Sequence, residues 1–116
     1  MTEPSPAEQL AIEYFHAWRA RDIGRIAPLL ADDVDFVGAL GTAQGAQEAL
    51  RGLRGIFAMT ENVEIIHRWI DGPDVITWFE LTTADAGPMA IVNWSHVTLD
   101  KIDRIRVTFD PRPLLG

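Results

Sequence analysis

The chain has 116 residues, of which 47% are hydrophobic and 23% charged, and its net charge is −7. That size suits one domain with a real core, and the acidic balance argues against a nucleic-acid or anionic-membrane partner. There is no cysteine, which excludes disulfides, a thiolate nucleophile and a cysteine-based metal site.

The N-terminal MTEPSPAEQ is polar and lacks the basic and apolar regions of a signal peptide. No run approaches the roughly 20 apolar residues of a membrane span. A single cytoplasmic domain over residues 1–116 is the expectation.

Ser5-Pro6 reads as a cap and first helical position, with Glu8 in the first turn. Leu10, Ala11, Tyr14, Phe15 and Trp18 follow at helical spacing, an apolar stripe that must pack on something. Asp22 then reads as the cap of a shorter second helix running through IGRIAPLLADD, interrupted at Pro28. Asp32 and Asp33 fall in the turn after it, where Asp is favoured for backbone reasons. VDFVGAL is a short strand, and Gly38 inside it signals a bulge or a close approach. Residues 41–59 read as a third helix with Leu50, Leu53 and Phe57 inward.

The second half changes period. NVEIIHRWI and VITWFELTT flank the turn DGPD, ADAGP leads into MAIVNWSHVTL, and DKID turns the chain into RIRVTF. Three helices followed by a four-stranded antiparallel meander is an α+β arrangement. In 89–99 one face carries Met89, Ile91, Asn93, Ser95, Val97 and Leu99, and the other Ala90, Val92, Trp94, His96 and Thr98. A sheet exposing one side to water alternates more cleanly. One face is therefore expected to cover the helices, and the other, with Trp78, Trp94 and His96, to meet a second copy in a homodimer.

The aromatic-rich helix, the Asp before a second helix and the ADD before the first strand, within YFHAWRARDIGRIAPLLADDVDFVG, resemble the opening of the nuclear transport factor 2-like superfamily. WSHVTLDKIDRIRVTFD resembles its last hairpin. The likeness spans residues 7 to 110 and is nearest to the branch of ketosteroid isomerases and SnoaL-like polyketide cyclases. It implies a cone-shaped α+β barrel, with helices packed on a curved, mostly antiparallel sheet around a cavity, and dimerisation through the outer sheet face. Fold does not carry activity with it.

The resemblance also assigns positions. The isomerases' helix tyrosine, which donates a hydrogen bond to the developing enolate oxygen, matches Tyr14. Their general-base Asp matches Gly38, and the protonated acid that completes the oxyanion hole matches Ser95. The working Asp in the last strand of the SnoaL-like cyclases and limonene-epoxide hydrolases matches Val107. All three carboxylate schemes lack their central acid. Asp35 lies on the opposite face of a period-2 strand, and Asp110 sits at a strand end beside Pro111.

What remains is an expected cavity wall of Tyr14, Trp18, Phe36, Gly38, Phe57, Phe79, Leu81, Ile105, Val107 and Phe109, with Tyr14, Thr77, Asn93 and Ser95 as its polar points. Such a wall suits a small, largely apolar molecule with one or two oxygen functions. The alternative is a filled core with no ligand. In an enzyme of this kind, an isomerase, cyclase or epoxide-opening enzyme, Tyr14 and Ser95 would be catalytic, with Asn93 orienting the substrate. The alternative function is a non-catalytic binding or interaction module.

Scytalone dehydratases, on the same fold, use two histidines around a water; His67 and His96 would match that scheme only if both point inward. His16 sits beside the apolar stripe, at its solvated edge. Three scattered histidines without HxxxH or HxH spacing give no metal ligand set, and GALGTAQG is not a phosphate loop. No cofactor is expected. NWS at 93–95 fits a glycosylation sequon only incidentally, and FDPRPLLG reads as an extended surface tail, with a neighbouring carboxylate or the cavity mouth as the alternatives within reach of Arg112.

Overall fold

A computed structural model describes residues 3–115; Met1, Thr2 and Gly116, the ends of the expected 1–116 domain and of the segments read there, lie outside the described residues. The first helix, α1 (Pro6–Ala20), starts where Ser5 stays extended and its hydroxyl accepts the Glu8 N–H at 3.2 Å. Pro6, which has no N–H to lose, opens the first turn. The helix stops at Arg21, whose φ of 56° turns the chain out of the helix while its N–H still reaches the last carbonyls.

The expected second helix is instead two single 3₁₀ turns, Ile23–Arg25 and Ala27–Leu29, and Asp22 makes no side-chain cap bond. Pro28 cannot donate to a carbonyl four residues back, so the chain takes the tighter geometry used in short pieces. Ile26, Leu29 and Leu30 are buried all the same. Strand β1 (Leu30–Gly38) begins at once, which places Asp32 and Asp33 in a strand and not in a turn. Both are solvent-exposed, beside a register shift between Leu30 and Asp35.

The expected third helix begins five residues late. Gly41–Gln44 forms a short strand, β2, that pairs antiparallel with β1 through Phe36–Ala43 and Gly38–Gly41. Gly45, at a φ of 86° that favours glycine, then starts α2 (Ala46–Met59). The meander follows as β3 (Thr60–Asp71), β4 (Asp74–Thr83), β5 (Met89–Thr98) and β6 (Lys101–Thr108). The last hairpin turns on Leu99 and Asp100, both at positive φ, the pattern of a two-residue turn matched to strand twist. Lys101 to Asp103, expected in that turn, are already in β6. The tail is a short helical turn, α3 (Arg112–Leu115), not an extended segment, and Arg112 grips Asp110.

The six strands form one curved, unclosed sheet in the order β2-β1-β6-β5-β4-β3. Every pairing is antiparallel except β1 with β6. Register shifts at Leu30/Asp35, Ile65/His67 and His96/Val97 mark bulges, which bend strands and raise their twist. The α+β class therefore holds, with two more strands than the meander alone supplies. In β5 the faces split as the sequence pattern predicts: Met89, Ile91, Asn93 and Ser95 are buried under the helices, while Ala90 and Val92 face outward.

The core is an aromatic cluster from α1, α2 and β4. The Trp18 indole stacks on Phe57 at 5.4 Å and Phe15 at 5.9 Å and meets Phe79 edge-on at 5.2 Å. Its N–H donates to the Thr60 hydroxyl at 2.9 Å, which itself donates to the Ile56 carbonyl at 2.7 Å. Thr60 is 2% exposed, so no water replaces either bond. Thr60→Val keeps the shape and strands the indole N–H; urea unfolding is expected to show a loss of about 1–3 kcal/mol, with Thr60→Ser close to wild type.

Candidate functional site

Between α2 and the β1–β2 hairpin lies a cavity of about 260 Å³. Its inner end is formed by Tyr14 and Trp18 of α1 and its sheet wall by Phe36, Gly38 and Val107, with Phe109 just beyond β6. Ala49, Gly52, Leu53 and Ile56 of α2 close the other side. Leu40, 52% exposed at the hairpin tip, Thr42 and Glu48 stand at the mouth.

Two glycines make room. A Cβ at Gly52, an exposed residue on the cavity lining, would meet nothing within 4 Å. At Gly38 a Cβ would come within 3.1 Å of a Phe36 ring carbon. The ring and the glycine are matched, and a side chain at 38 requires Phe36 to move.

Tyr14 is the cavity's buried polar group. It is 1% exposed, packed edge-on against Phe15 and Trp18, and its hydroxyl has no hydrogen-bond partner among the described residues. Burial pushes its pKa up, so the phenol keeps its proton and remains a donor. An unpaired buried hydroxyl costs free energy that a bound acceptor would recover.

Not every expected wall residue reaches this space. Tyr14, Trp18, Phe36, Gly38, Val107 and Phe109 line it. Phe57, Phe79, Leu81 and Ile105 are packed into the core and do not. Thr77, Asn93 and Ser95 are buried on the same concave face, outside the cavity lining. Thr77, Asn93 and Val107 stand side by side across β4, β5 and β6, so Asn93 is the strand neighbour of a wall residue. Its amide donates to the Ser95 hydroxyl at 3.1 Å, and its Oδ1 has no partner among the described residues.

The residues not anticipated come mostly from α2 and the hairpin, above all Glu48, Gly52 and Ile56. Their signal was an i, i+4, i+8 row on the helix, one position off the row of Leu53 and Phe57.

Two of the strand acids are held on the opposite face. Asp35 projects from the convex face, where its carboxylate bonds to Arg106 at 2.8 Å and accepts from the Gln44 amide. Those hydrogen bonds, Arg106 first, hold its carboxyl below the usual carboxylate range. On the same face His96 Nδ1 lies 2.7 Å from Asp103, which also accepts from Thr98. Desolvation alone would raise Asp103, but the His96 and Thr98 bonds outweigh it and its pKa falls. His67 pairs across with Trp78 and its ring meets Trp69 at 4.3 Å, so both histidines lie away from the cavity. Among the described residues no three His, Asp or Glu side chains form a metal-holding group, and no helix is long and apolar enough to cross a membrane.

A sequence model described as "SnoaL-like domain" matches residues 11–107. No curated protein matches the chain. Among solved structures, an NTF2-like protein of unknown function from Cytophaga hutchinsonii superposes with a TM-score of 0.84 at 20% identity, covering 100% of both chains. An LEH-like epoxide hydrolase from M. tuberculosis gives 0.78 at 18% identity, covering 95% of this chain and 86% of its own. A de novo designed protein with a curved β-sheet gives 0.84 at 20%, covering 96% and 90%. At these identities the likeness is one of fold.

Because the Tyr14 hydroxyl is unpaired, Tyr14→Phe is expected to raise the unfolding free energy of the unliganded protein, by about 1 kcal/mol. Urea denaturation measures it, and a loss of similar size would mean that the hydroxyl already has a partner.

Proposed function

Since the chain belongs to the family of SnoaL-like domains, we propose that it binds a small, mainly apolar organic molecule with an oxygen acceptor, seated between α2 and the β1–β2 hairpin. The observation that carries this reading is Tyr14, a lining residue of a largely apolar cavity whose buried hydroxyl has no partner among the described residues. Size narrows the class. About 260 Å³ is below the roughly 300–1,000 Å³ of sites that enclose drug-sized ligands. A one-ring or short-chain ketone, lactone or epoxide fits, and a fused four-ring steroid is too large to be enclosed.

The preferred reading is an enzyme of the isomerase, cyclase or epoxide-opening kind, working in the cytoplasm on an apolar carbonyl or polyketide-like compound. Tyr14 would stabilise charge as it develops on the substrate oxygen, in a site that excludes water. Ser95 would act behind it by fixing the Asn93 amide, and with it the direction of the free Oδ1. Gly38, Ser95 and Val107 at the acid positions favour a second reading, a binding module without turnover.

We also propose that the convex sheet face pairs two copies. Ile76, Trp78 and Val92 are each more than a third exposed there, and Trp94 lies beside them. Glu64 and Glu80 oppose each other directly across β3 and β4, an unfavourable like-charge pair. Arg104 and Arg106 occupy the β6 side of the same face, around Trp94. A two-fold pairing sets one copy's arginines towards the other's glutamates, so the charge pattern is self-complementary.

Calorimetric titration with a panel of small ketones, lactones and epoxides tests the cavity. Gly52→Leu is expected to fill the mouth and weaken binding at least tenfold, while strengthening α2 by up to about 1 kcal/mol. Binding indifferent to both Gly52→Leu and Tyr14→Phe would overturn the site. Turnover that falls at least tenfold in Tyr14→Phe supports the enzyme, and binding without turnover supports the module. Sedimentation at micromolar concentration is expected to show a dimer that Trp78→Glu splits; a wild-type monomer would remove the interface.

A further inference from the structure

Glu48, in the first turn of α2, is the one charged side chain on the cavity lining. We propose that the ligand of this site is a small apolar compound that carries a protonated amine. Its ring or chain enters the cavity, and its ammonium group meets the Glu48 carboxylate at the mouth. This rests on the ligand reading above and deepens it, because it fixes the charge that the molecule bears.

The lining sets the two ends of such a molecule apart. Phe36, Leu53, Ile56, Val107 and Phe109 offer apolar surface, which favours a hydrocarbon body and gives a charge no partner. No lysine, arginine or histidine lines the space. A carboxylate or phosphate on the ligand would therefore face the Glu48 charge with nothing on the lining to offset it. Glu48 itself is uncommitted: it stands in no ion pair among the described residues, not even with Arg51 three positions on. Its one hydrogen bond comes from the Gln44 N–H to Oε1 at 3.3 Å, and the other oxygen has no partner among the described residues. Gly52 follows one helical turn later on the same row. A Cβ there would meet nothing within 4 Å, so the way from the carboxylate into the lining is open.

An inorganic cation is a poorer match. A divalent ion of the hard class takes about six or more oxygen ligands, and no metal-holding group of acids or histidines forms among the described residues. A substituted ammonium needs only a carboxylate on one side, solvent on the other and apolar surface behind it.

Glu48 also has a structural duty. From the third position of α2 it reaches back to the backbone N–H just before the helix, as in a capping box. Glu48→Gln keeps an oxygen for that bond and removes the charge, and Glu48→Lys reverses the charge.

Three ketones built on one ring separate charge from shape: 4-(dimethylamino)cyclohexanone, protonated at neutral pH, its neutral isostere 4-isopropylcyclohexanone, and 4-oxocyclohexanecarboxylate. Calorimetric titration at neutral pH and low salt is expected to rank them in that order. The amine is expected to bind about threefold to fivefold tighter than the isopropyl compound, the reach of an ion pair at a solvent-exposed mouth. That ratio is expected to fall to about one in Glu48→Gln, and to shrink in wild type as salt is added. Glu48→Lys is expected to move the carboxylate to first place.

An isopropyl compound bound as tightly as the amine by wild type overturns the proposal and leaves the ligand reading standing. So does a preference for the amine that survives in Glu48→Gln. If that variant does not fold, the salt series on wild type decides, and a ratio that salt leaves unmoved overturns the proposal. Failure of wild type to bind any of the three, or any member of the neutral panel, sinks the ligand reading as well.

Discussion

The structure depends on how α1 is fastened. Its stripe delivers Tyr14, Phe15 and Trp18 to one place, and the Trp18 indole is locked between Phe57 of α2 and Phe79 of β4. The Trp18–Thr60–Ile56 chain of hydrogen bonds ties that indole to the end of α2 and the start of β3. Three elements thereby take fixed positions relative to one another. The C-terminal half of α2 is pinned against α1, and its N-terminal half is left to span the gap to the hairpin. The cavity is that gap.

The sheet divides its chemistry between two faces. The concave face is apolar apart from a few buried hydrogen-bonding groups, so an unpaired hydroxyl or amide oxygen there is costly and informative. The convex face holds the charges, in pairs half open to water, where Asp35 with Arg106 and Asp103 with His96 are satisfied locally. An acid one residue along β1 from the cavity wall is therefore no substitute for one on it. The alternation of the strand sends Asp35 to the far side while Phe36 turns inward.

Much of this is legible in the sequence. Ser5-Pro6, the aromatic stripe of α1 and the two-faced pattern of β5 each follow from local chemistry, and each leads to the same fold. The elements that were not legible are those in which tertiary context overrides local signals. Gly41–Gln44 is too short and too polar to announce a strand, yet pairing with β1 makes it one and pushes the start of α2 to Ala46. The stretch through Pro28 has a helical pattern of apolar residues, but its missing N–H leaves only 3₁₀ turns. The cavity wall was half legible for a similar reason. Inner-face residues could be picked out by alternation, but whether Phe79 or Val107 faces open space depends on where the helices land above the sheet. On α2 the largest side chains point to the packed row, and the row of Glu48, Gly52 and Ile56 beside it carries too little bulk to stand out.

The parallel pairing of β1 with β6 has a bearing on how the molecule is assembled. Asp35 and Arg106 are 71 residues apart in the chain, whereas the partners from β3 to β6 are successive hairpins. The meander can zip up from local turns, but β1 finds its parallel neighbour only after β6 has formed, and closing so long a loop is slow. Until then Phe36 and Gly38 have no Val107 beside them. The cavity is thus among the last parts of the domain to form, and during synthesis the β1–β2 hairpin waits as an unpaired edge for the final strand to emerge.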